Sequence, residues 1–263
     1  MHHFFVDKGN VAAGSIIIND SNDYNHAVRV LRLSVGERLI VSDSEGTDYI
    51  CAVEEICAAA GAESGHIRLA VEEVCSENHE LPSRIVLFQC LPKSEKMEFI
   101  IQKAVELGVS DIFPVASKNC VVKLDDKKAA SRVKRWQAIA GNAAKQSKRS
   151  LVPQVHEPVN FRDAVEMCSG CDVSIIPYEA EKGLTGTCEA IVSFLPGRSI
   201  GVIIGPEGGF DPLEAAMASR HGVVPISLGK RILRVETAAV AILSLIMIRL
   251  EIAREMNFDA DND

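Results

Sequence analysis

The sequence predicts an α/β protein in which a small β-rich domain precedes a larger domain of alternating strands and helices. Three observations carry this. Residues 1–75 hold short apolar runs separated by turn-rich pieces. From residue 84 onward, strand-like runs alternate with longer amphipathic stretches, the pattern of a largely parallel sheet covered by helices. Two glycine-containing loops, Gly205–Phe210 and Gly229–Arg234, each follow an apolar run in the last quarter of the chain.

The first domain is read from runs at Phe4–Val6, Ser15–Ile18, Arg38–Val41, Tyr49–Val53 and Ile67–Val71, with a short helix over Asn25–Leu33. Several short strands with turn signals between them suggest a small barrel over residues 1–75. Residues 76–83, polar and containing Pro82, form the expected linker. In the second domain, 84–255, Arg84–Cys90 is a strand. Ser94 is placed to cap a helix that runs to Leu107 and is closed by Gly108. Asp111–Val115 is the next strand and Asp126–Lys145 a basic helix, followed by a helix over Phe161–Met167. Further strands are expected at Val173–Pro177, Ile200–Ile204 and Val223–Leu228. Asp211-Pro212-Leu213-Glu214 starts a helix, with an N-cap Asp, Pro first and Glu third. The final apolar helix runs from Thr237 to about Glu255, and residues 256–263 read as a disordered acidic tail.

A chain of 263 residues has room for one or two domains with a sizeable core. Its opening, MHHFFVDKGN, lacks a basic stretch followed by an apolar one, so no signal peptide is expected. The longest apolar run, Ala238–Ile248, is too short to span a bilayer. The eight scattered cysteines then read as reduced thiols of a cytoplasmic protein. Cys168 and Cys171 form a CxxC with no second pair to complete a zinc ribbon, and the spacing is taken as incidental. Net charge is −8 but uneven. Residues 1–80 carry five basic and fourteen acidic side chains, whereas Lys118–Arg149 carries ten basic residues against Asp125 and Asp126. Local field, more than total charge, attracts a polyanion.

The glycine loops are neither a Walker A loop nor a GxGxxG fingerprint. No serine sits in a GxSxG elbow, and the histidines are dispersed, so neither a nucleophilic triad nor a metal site is expected. What remains is a site built from bare backbone, since Gly205, Gly208, Gly209 and Gly229 can present N–H and C=O groups to a small ligand without an intervening Cβ.

GPEGGF at 205–210, LGKRILRVETA at 228–238, LPKSEKMEFIIQKAVELGV at 91–109 and KQSKR at 145–149 together resemble the RsmE-type ribosomal RNA methyltransferases of the SPOUT superfamily. NHAVRVLRLSVGE and GTDYIC extend the resemblance into the β-rich part. The resemblance implies a PUA-like barrel that helps hold RNA and a SPOUT α/β domain with a C-terminal trefoil knot. It implies a homodimer, S-adenosylmethionine as methyl donor, no metal, and N3 of a uridine in 16S ribosomal RNA as acceptor.

The resemblance further implies that Gly205, Pro206, Glu207, Gly208 and Gly209 line the cofactor pocket. Leu228, Gly229, Ile232 and Leu233 would wrap adenine and ribose, and Pro177, Tyr178 and Glu179 would add a third loop. Arg234 would stabilise charge developing on uracil O2 and O4, and Glu236 is the nearest candidate to take the N3 proton, with direct loss to water the alternative. RNA contacts would fall to His26, Arg29 and Arg32 in the barrel, the two arginines on one helix face. In the α/β domain they would fall to Lys93, Lys96, Gln146, Ser147 and Arg149. Two departures stand out: His3 replaces the usual Arg of an opening RFFV, and Lys145 stands where an acidic residue is common. The competing readings are a SPOUT enzyme that methylates a ribose 2′-hydroxyl and a non-catalytic RNA-binding or ribosome-assembly factor.

Overall fold

The computed structural model describes residues 1–58, 65–76, 79–122 and 125–260. Lys123 of the basic segment, residues 77–78 of the expected linker and residues 261–263 of the expected tail lie outside them. The chain forms two compact units, Met1–Glu80 with Ala144–Val152, and Leu81–Ala143 with Pro153–Asp263.

In the first unit, β1 (His2–Phe5), β2 (Val11–Ala12), β3 (Ser15–Ile18), β4 (Arg38–Ser42), β5 (Asp48–Cys57) and β6 (His66–Val74) make one sheet in the order β1-β4-β5-β6-β3-β2. All pairs are antiparallel except β1 with β4. Residues alternate along each strand: Ile16 and Ile18 are buried, as are Leu39 with Val41 and Ile67 with Leu69. Together with Phe4, Cys51 and Val53 they form the core of this unit. Register shifts between Ile50 and Cys51 and between Val53 and Glu55 interrupt the long β5–β6 ladder, where bulges bend a strand.

Helix α1 (Ser21–Asn25) is capped by the Asp20 carboxylate, which accepts from Asn22 N–H and Asp23 N–H. It continues as a π-helical turn, His26–Leu31, that ends on Arg32 in the left-handed region at φ 55°. This corrects the expectation that Arg29 and Arg32 share an α-helical face, because the turn is π-helical and Arg32 lies past its end.

The end of the basic helix and the residues that follow it, Ala144–Val152, also belong to this unit, so Gln146, Ser147 and Arg149 do not sit in the α/β unit as expected. Four carboxylate contacts explain why. Lys145 Nζ lies 2.5 Å from Asp23 Oδ1. The Arg149 Nε–H donates to both oxygens of Glu80 at 3.2 Å. The same carboxylate accepts the backbone N–H of Ser150 (3.0 Å) and Leu151 (3.2 Å). The Ser150 hydroxyl donates to Asp48 Oδ2 at 2.7 Å. Asp48 also takes the hydroxyl proton of Ser42, so His3, 2.6 Å from Ser42 Oγ, must donate its Nε2–H. His3 thus turns into the unit, where burial pushes its pKa down, with the positive charge of Lys145 acting in the same direction.

The second unit is a parallel sheet. Its strands are β7 (Arg84–Cys90), β8 (Asp111–Ala116), β9 (Gln154–Val155), β10 (Val159–Asn160), β11 (Val173–Pro177), β12 (Ser199–Ile204) and β13 (Val224–Ile226). The order is β10-β8-β7-β12-β11-β13, with β9 also on β8. The central strands are apolar runs buried on both faces, as parallel sheets demand. The helices are α2 (Lys96–Glu106), α3 (Asp126–Ser147), α4 (Phe161–Cys168), α5 (Thr185–Ser193), α6 (Pro212–Arg220) and α7 (Val235–Ala260).

Helix α2 buries Met97, Ile100, Ile101, Ala104 and Val105, as its apolar spacing predicts. Ser94 does not cap it: Ser94 is left-handed at φ 58°, and Glu95 occupies the cap position. Helix α6 starts with the expected capping box between Asp211 and Glu214 and has Pro212 at its first position. Helix α7 continues to Ala260, so residues 256–260 are helical and not the start of a disordered tail. No helix among the described residues is long and apolar enough to cross a membrane.

The CxxC finds a packing role. Cys168 closes α4, and a Cβ added at Gly201 would stand 2.7 Å from Cys168 Sγ and 3.1 Å from Cys171 Sγ. Both sulfurs therefore press on the bare backbone of β12. Burial pushes the Cys168 thiol up to about 12 and raises that of Cys171, which makes both poor thiolates.

Candidate active site

Three loops separated by up to fifty residues meet because β12, β11 and β13 are adjacent and parallel. Parallel strands deliver their C-terminal ends to one edge of a sheet, where α/β proteins bind ligands. The loops follow Pro177, Ile204 and Ile226. Two of them, with the start of α7, line a cavity of about 130 Å3 that opens to solvent. Its wall holds Pro177, Tyr178 and Glu179 from the first loop, Leu228, Gly229, Ile232 and Leu233 from the last, and Ala238.

Backbone contacts fix the last loop. Tyr178 N–H donates to Ile226 C=O at 2.9 Å, the Thr187 hydroxyl to Ser227 C=O at 2.6 Å, and Gly229 N–H to Ser227 Oγ at 3.3 Å. Gly229 has φ 104°, which only glycine takes without strain. Ile232 is 91% exposed. Ile232 is therefore not part of the core, and its side chain is apolar surface on the cavity wall.

The Gly205–Gly209 loop does not line that cavity itself. It abuts it through Gly209, whose φ is +70° and whose Cα lies so close to Glu179 that an added Cβ would meet Oε1 at 2.4 Å. Phe210 pins the loop: it is buried, its ring closes over Gly205, and it packs on Phe161 and Tyr178. Asn119, at the end of β8, donates Nδ2–H to Gly209 C=O at 3.0 Å. Thr187, Asn119 and Phe210 are supports that the sequence reading passed over. Only Phe210, inside GPEGGF, carried a sequence signal.

Charge around the loops divides into spent and free. The Glu207 carboxylate accepts Lys93 N–H at 3.0 Å and stands 3.2 Å from Lys96 Nζ. Burial pushes Glu207 up, but these donors outweigh it and hold the carboxyl below its ordinary range. Lys96 Nζ is also 3.4 Å from Glu236 Oε2. Lys96, expected to contact RNA, is thus engaged by two carboxylates. Arg234 by contrast is exposed and forms no ion pair with any described residue, so its guanidinium is free to meet a ligand.

The other expected RNA contacts separate in the same way. His26, Arg29, Arg32, Lys93 and Gln146 are exposed, and Ser147 is half-buried. Arg149 is only 4% exposed and locked on Glu80, which corrects its assignment: it is a structural residue. The basic segment is half neutralised, with Lys118 on Asp211, Lys128 on Asp125, Arg135 on Glu98 and Lys145 on Asp23. Lys127, Arg132, Lys134 and Lys148 remain exposed and form no ion pair with described residues.

A PUA-type first unit joined to a parallel α/β unit with glycine loops at one strand edge defines a class. The chain belongs to the RNA methyltransferase family: the model of the RNA methyltransferase domain matches residues 79–247, and that of the RNA methyltransferase PUA domain matches residues 18–57. Within it the chain sides with one group. Ribosomal RNA small subunit methyltransferase E of Bacillus subtilis is 33% identical over 259 residues, 97% of this chain and 99% of that one. The protein of that name from Mesomycoplasma hyopneumoniae is 40% identical over 64% of this chain and 70% of its own length. Among solved structures, the Neisseria gonorrhoeae ribosomal RNA small subunit methyltransferase E bound to S-adenosyl methionine has a TM-score of 0.80 and 29% identity. The match covers 94% of this chain and 97% of that chain.

Proposed function

We infer that this protein transfers the methyl group of S-adenosylmethionine to N3 of a specific uridine in 16S ribosomal RNA. The observation that carries the reading is the junction of three loops at one strand edge, with an open cavity on one side and the unpaired Arg234 at its end. The cofactor fits: Gly229 offers bare backbone, Leu228 and Ile232 offer apolar surface, and the Glu179 carboxylate can accept from hydroxyls. Bound there, S-adenosylmethionine supplies a methyl group made electrophilic by the sulfonium, so no metal is required. In our reading Gly205, Pro206, Glu207, Gly208 and Gly209 form the second wall and Leu233 closes the third.

Uracil N3 carries a proton that must leave before or during attack, which spreads charge over O2 and O4. Arg234 donates to those oxygens. Glu236, two residues on, accepts the proton. Because the reacting edge is the Watson–Crick edge, the uridine must be unpaired or turned out of its stack. His26, Arg29 and Arg32 hold RNA on the first unit, and Lys93, Gln146 and Ser147 add to that hold. The chain acts in the cytoplasm as a homodimer whose last segment is threaded as a trefoil knot. Support for the dimer comes from α7, which leaves Leu245, Ile248, Ile252 and Met256 exposed at helical spacing on one face.

Two results test this reading. Gly209→Ala forces a Cβ onto Glu179 at a positive φ, and calorimetry should show S-adenosylmethionine binding weakened by tenfold or more. Unchanged affinity would take the cofactor away from these loops. Arg29→Ala combined with Arg32→Ala should weaken RNA binding and lower the slope of log affinity against log salt by about two. If the slope is unaltered, the first unit is not the RNA platform.

A further inference from the structure

Lys96 forms ion pairs both with Glu207 of the glycine loop and with Glu236 in the first turn of α7. Lys96 is the first residue of α2, and its side chain is about 70% covered. Glu207 reaches it because β7 and β12 are parallel neighbours, so that the loops after Cys90 and Ile204 leave the same edge. Glu236 reaches it because α7 packs along α2. The two carboxylates are not equivalent. Glu207 also holds Lys93 N–H. Glu236 Oε2 is buried without a well-formed hydrogen bond, and Lys96 at 3.4 Å is the only cation within ion-pair reach among the described residues.

We propose that Lys96 is a positioning residue for methyl transfer, clamping the glycine loop to the first turn of α7 and fixing the Glu236 side chain two residues from Arg234. The clamp gives Lys96 a task within the site in place of the RNA contact that the sequence suggests. It also explains why a lysine suits the position: a compact ammonium can face two carboxylates from different elements. The charged groups around Glu236 are Lys96 from α2, Glu207 from the glycine loop and Arg234 from the preceding turn. Of these, Lys96 is the cation at ion-pair distance, 3.4 Å from Glu236 Oε2.

The inference rests on the reading that these loops bind S-adenosylmethionine, and the test keeps the two apart. Full-length Lys96→Met, Lys96→Arg, Glu236→Gln and Gly209→Ala are compared by thermal melting, by calorimetry with S-adenosylmethionine, and by kcat against pH on small subunits. Lys96→Met should bind the cofactor about tenfold more weakly. The acidic limb of its kcat profile should move up by about one pH unit, because loss of a neighbouring cation favours the protonated carboxyl. Lys96→Arg should recover affinity to within about threefold and return the limb towards its original place. A role in packing alone would not move the limb. If Lys96→Met leaves both affinity and limb unchanged, or Lys96→Arg rescues neither, the clamp is wrong. If Gly209→Ala also keeps full affinity, the loop reading has failed; if only Gly209→Ala loses it, the clamp alone has. Should Lys96→Met melt early, Glu236→Gln removes one side of the clamp without burying a charge, and it must reproduce the weaker binding or the proposal is overturned.

Discussion

Arg234→Ala should lose roughly a hundred- to a thousand-fold in kcat while binding S-adenosylmethionine within about threefold of the unsubstituted protein, the range seen when one donor to a developing oxyanion is removed. The split follows from position. Arg234 is exposed, ends the loop that borders the cavity, and is absent from the cavity wall itself. Its guanidinium has no carboxylate to hold among the described residues, so its removal leaves no buried charge behind. Lys at this position should recover part of the rate, since an ammonium supplies charge but not the planar fork that can address two oxygens. Single-turnover methylation of small subunits, paired with calorimetry, measures both halves. A variant that loses cofactor affinity in parallel with rate would make Arg234 a wall of the pocket and not a donor to the uracil.

The second large effect concerns stability. Arg149→Ala should destabilise the first unit by about 3–5 kcal/mol, because it strands Glu80 without the cation that compensates its burial. For a unit of this size that is a fall on the order of 12–40 °C in its melting temperature. Replacing Glu80 and Arg149 together by methionine should cost less than Arg149→Ala alone, since an apolar pair leaves no orphaned charge. Differential scanning calorimetry with a probe for the first unit decides this. If Arg149→Ala melts normally and instead loses RNA affinity, the arginine faces RNA after all, and the burial seen on Glu80 does not describe the working state.

Arg149 also shows what a sequence can and cannot disclose. Within KQSKR it is one basic residue among several, and charge pattern alone places it on a surface. Its partner, Glu80, lies 69 residues earlier, and only the tertiary fold joins them. Lys96 misleads for the same reason: both of its carboxylates are remote in sequence and arrive by strand adjacency and helix packing. Ser94 and Arg32 fail locally. Each has the composition of a helix-end residue, but both adopt left-handed backbone, which no residue type other than glycine signals.

The glycine loops were legible because their information is local and redundant. Apolar runs mark β12 and β13, glycines mark the turns after them, and a parallel sheet forces those turns to one edge. The capping box at Asp211 and the apolar face of α2 were legible on the same grounds, since caps and helical spacing are written within a few residues. The supports of the loops were not. Thr187 and Asn119 are unremarkable in sequence, and their value lies in a carbonyl that each holds at a distance of 40 or 90 residues.

The central claim is the position of the transferred methyl group. Small subunits from cells lacking this enzyme, incubated with the protein and methyl-labelled S-adenosylmethionine, allow the labelled nucleotide to be mapped. The account predicts a single labelled uridine in 16S ribosomal RNA, methylated at N3, with Arg234→Ala slowing the labelling roughly a hundred- to a thousand-fold. Label on a ribose 2′-hydroxyl, or no label from folded protein that binds the cofactor, would contradict it.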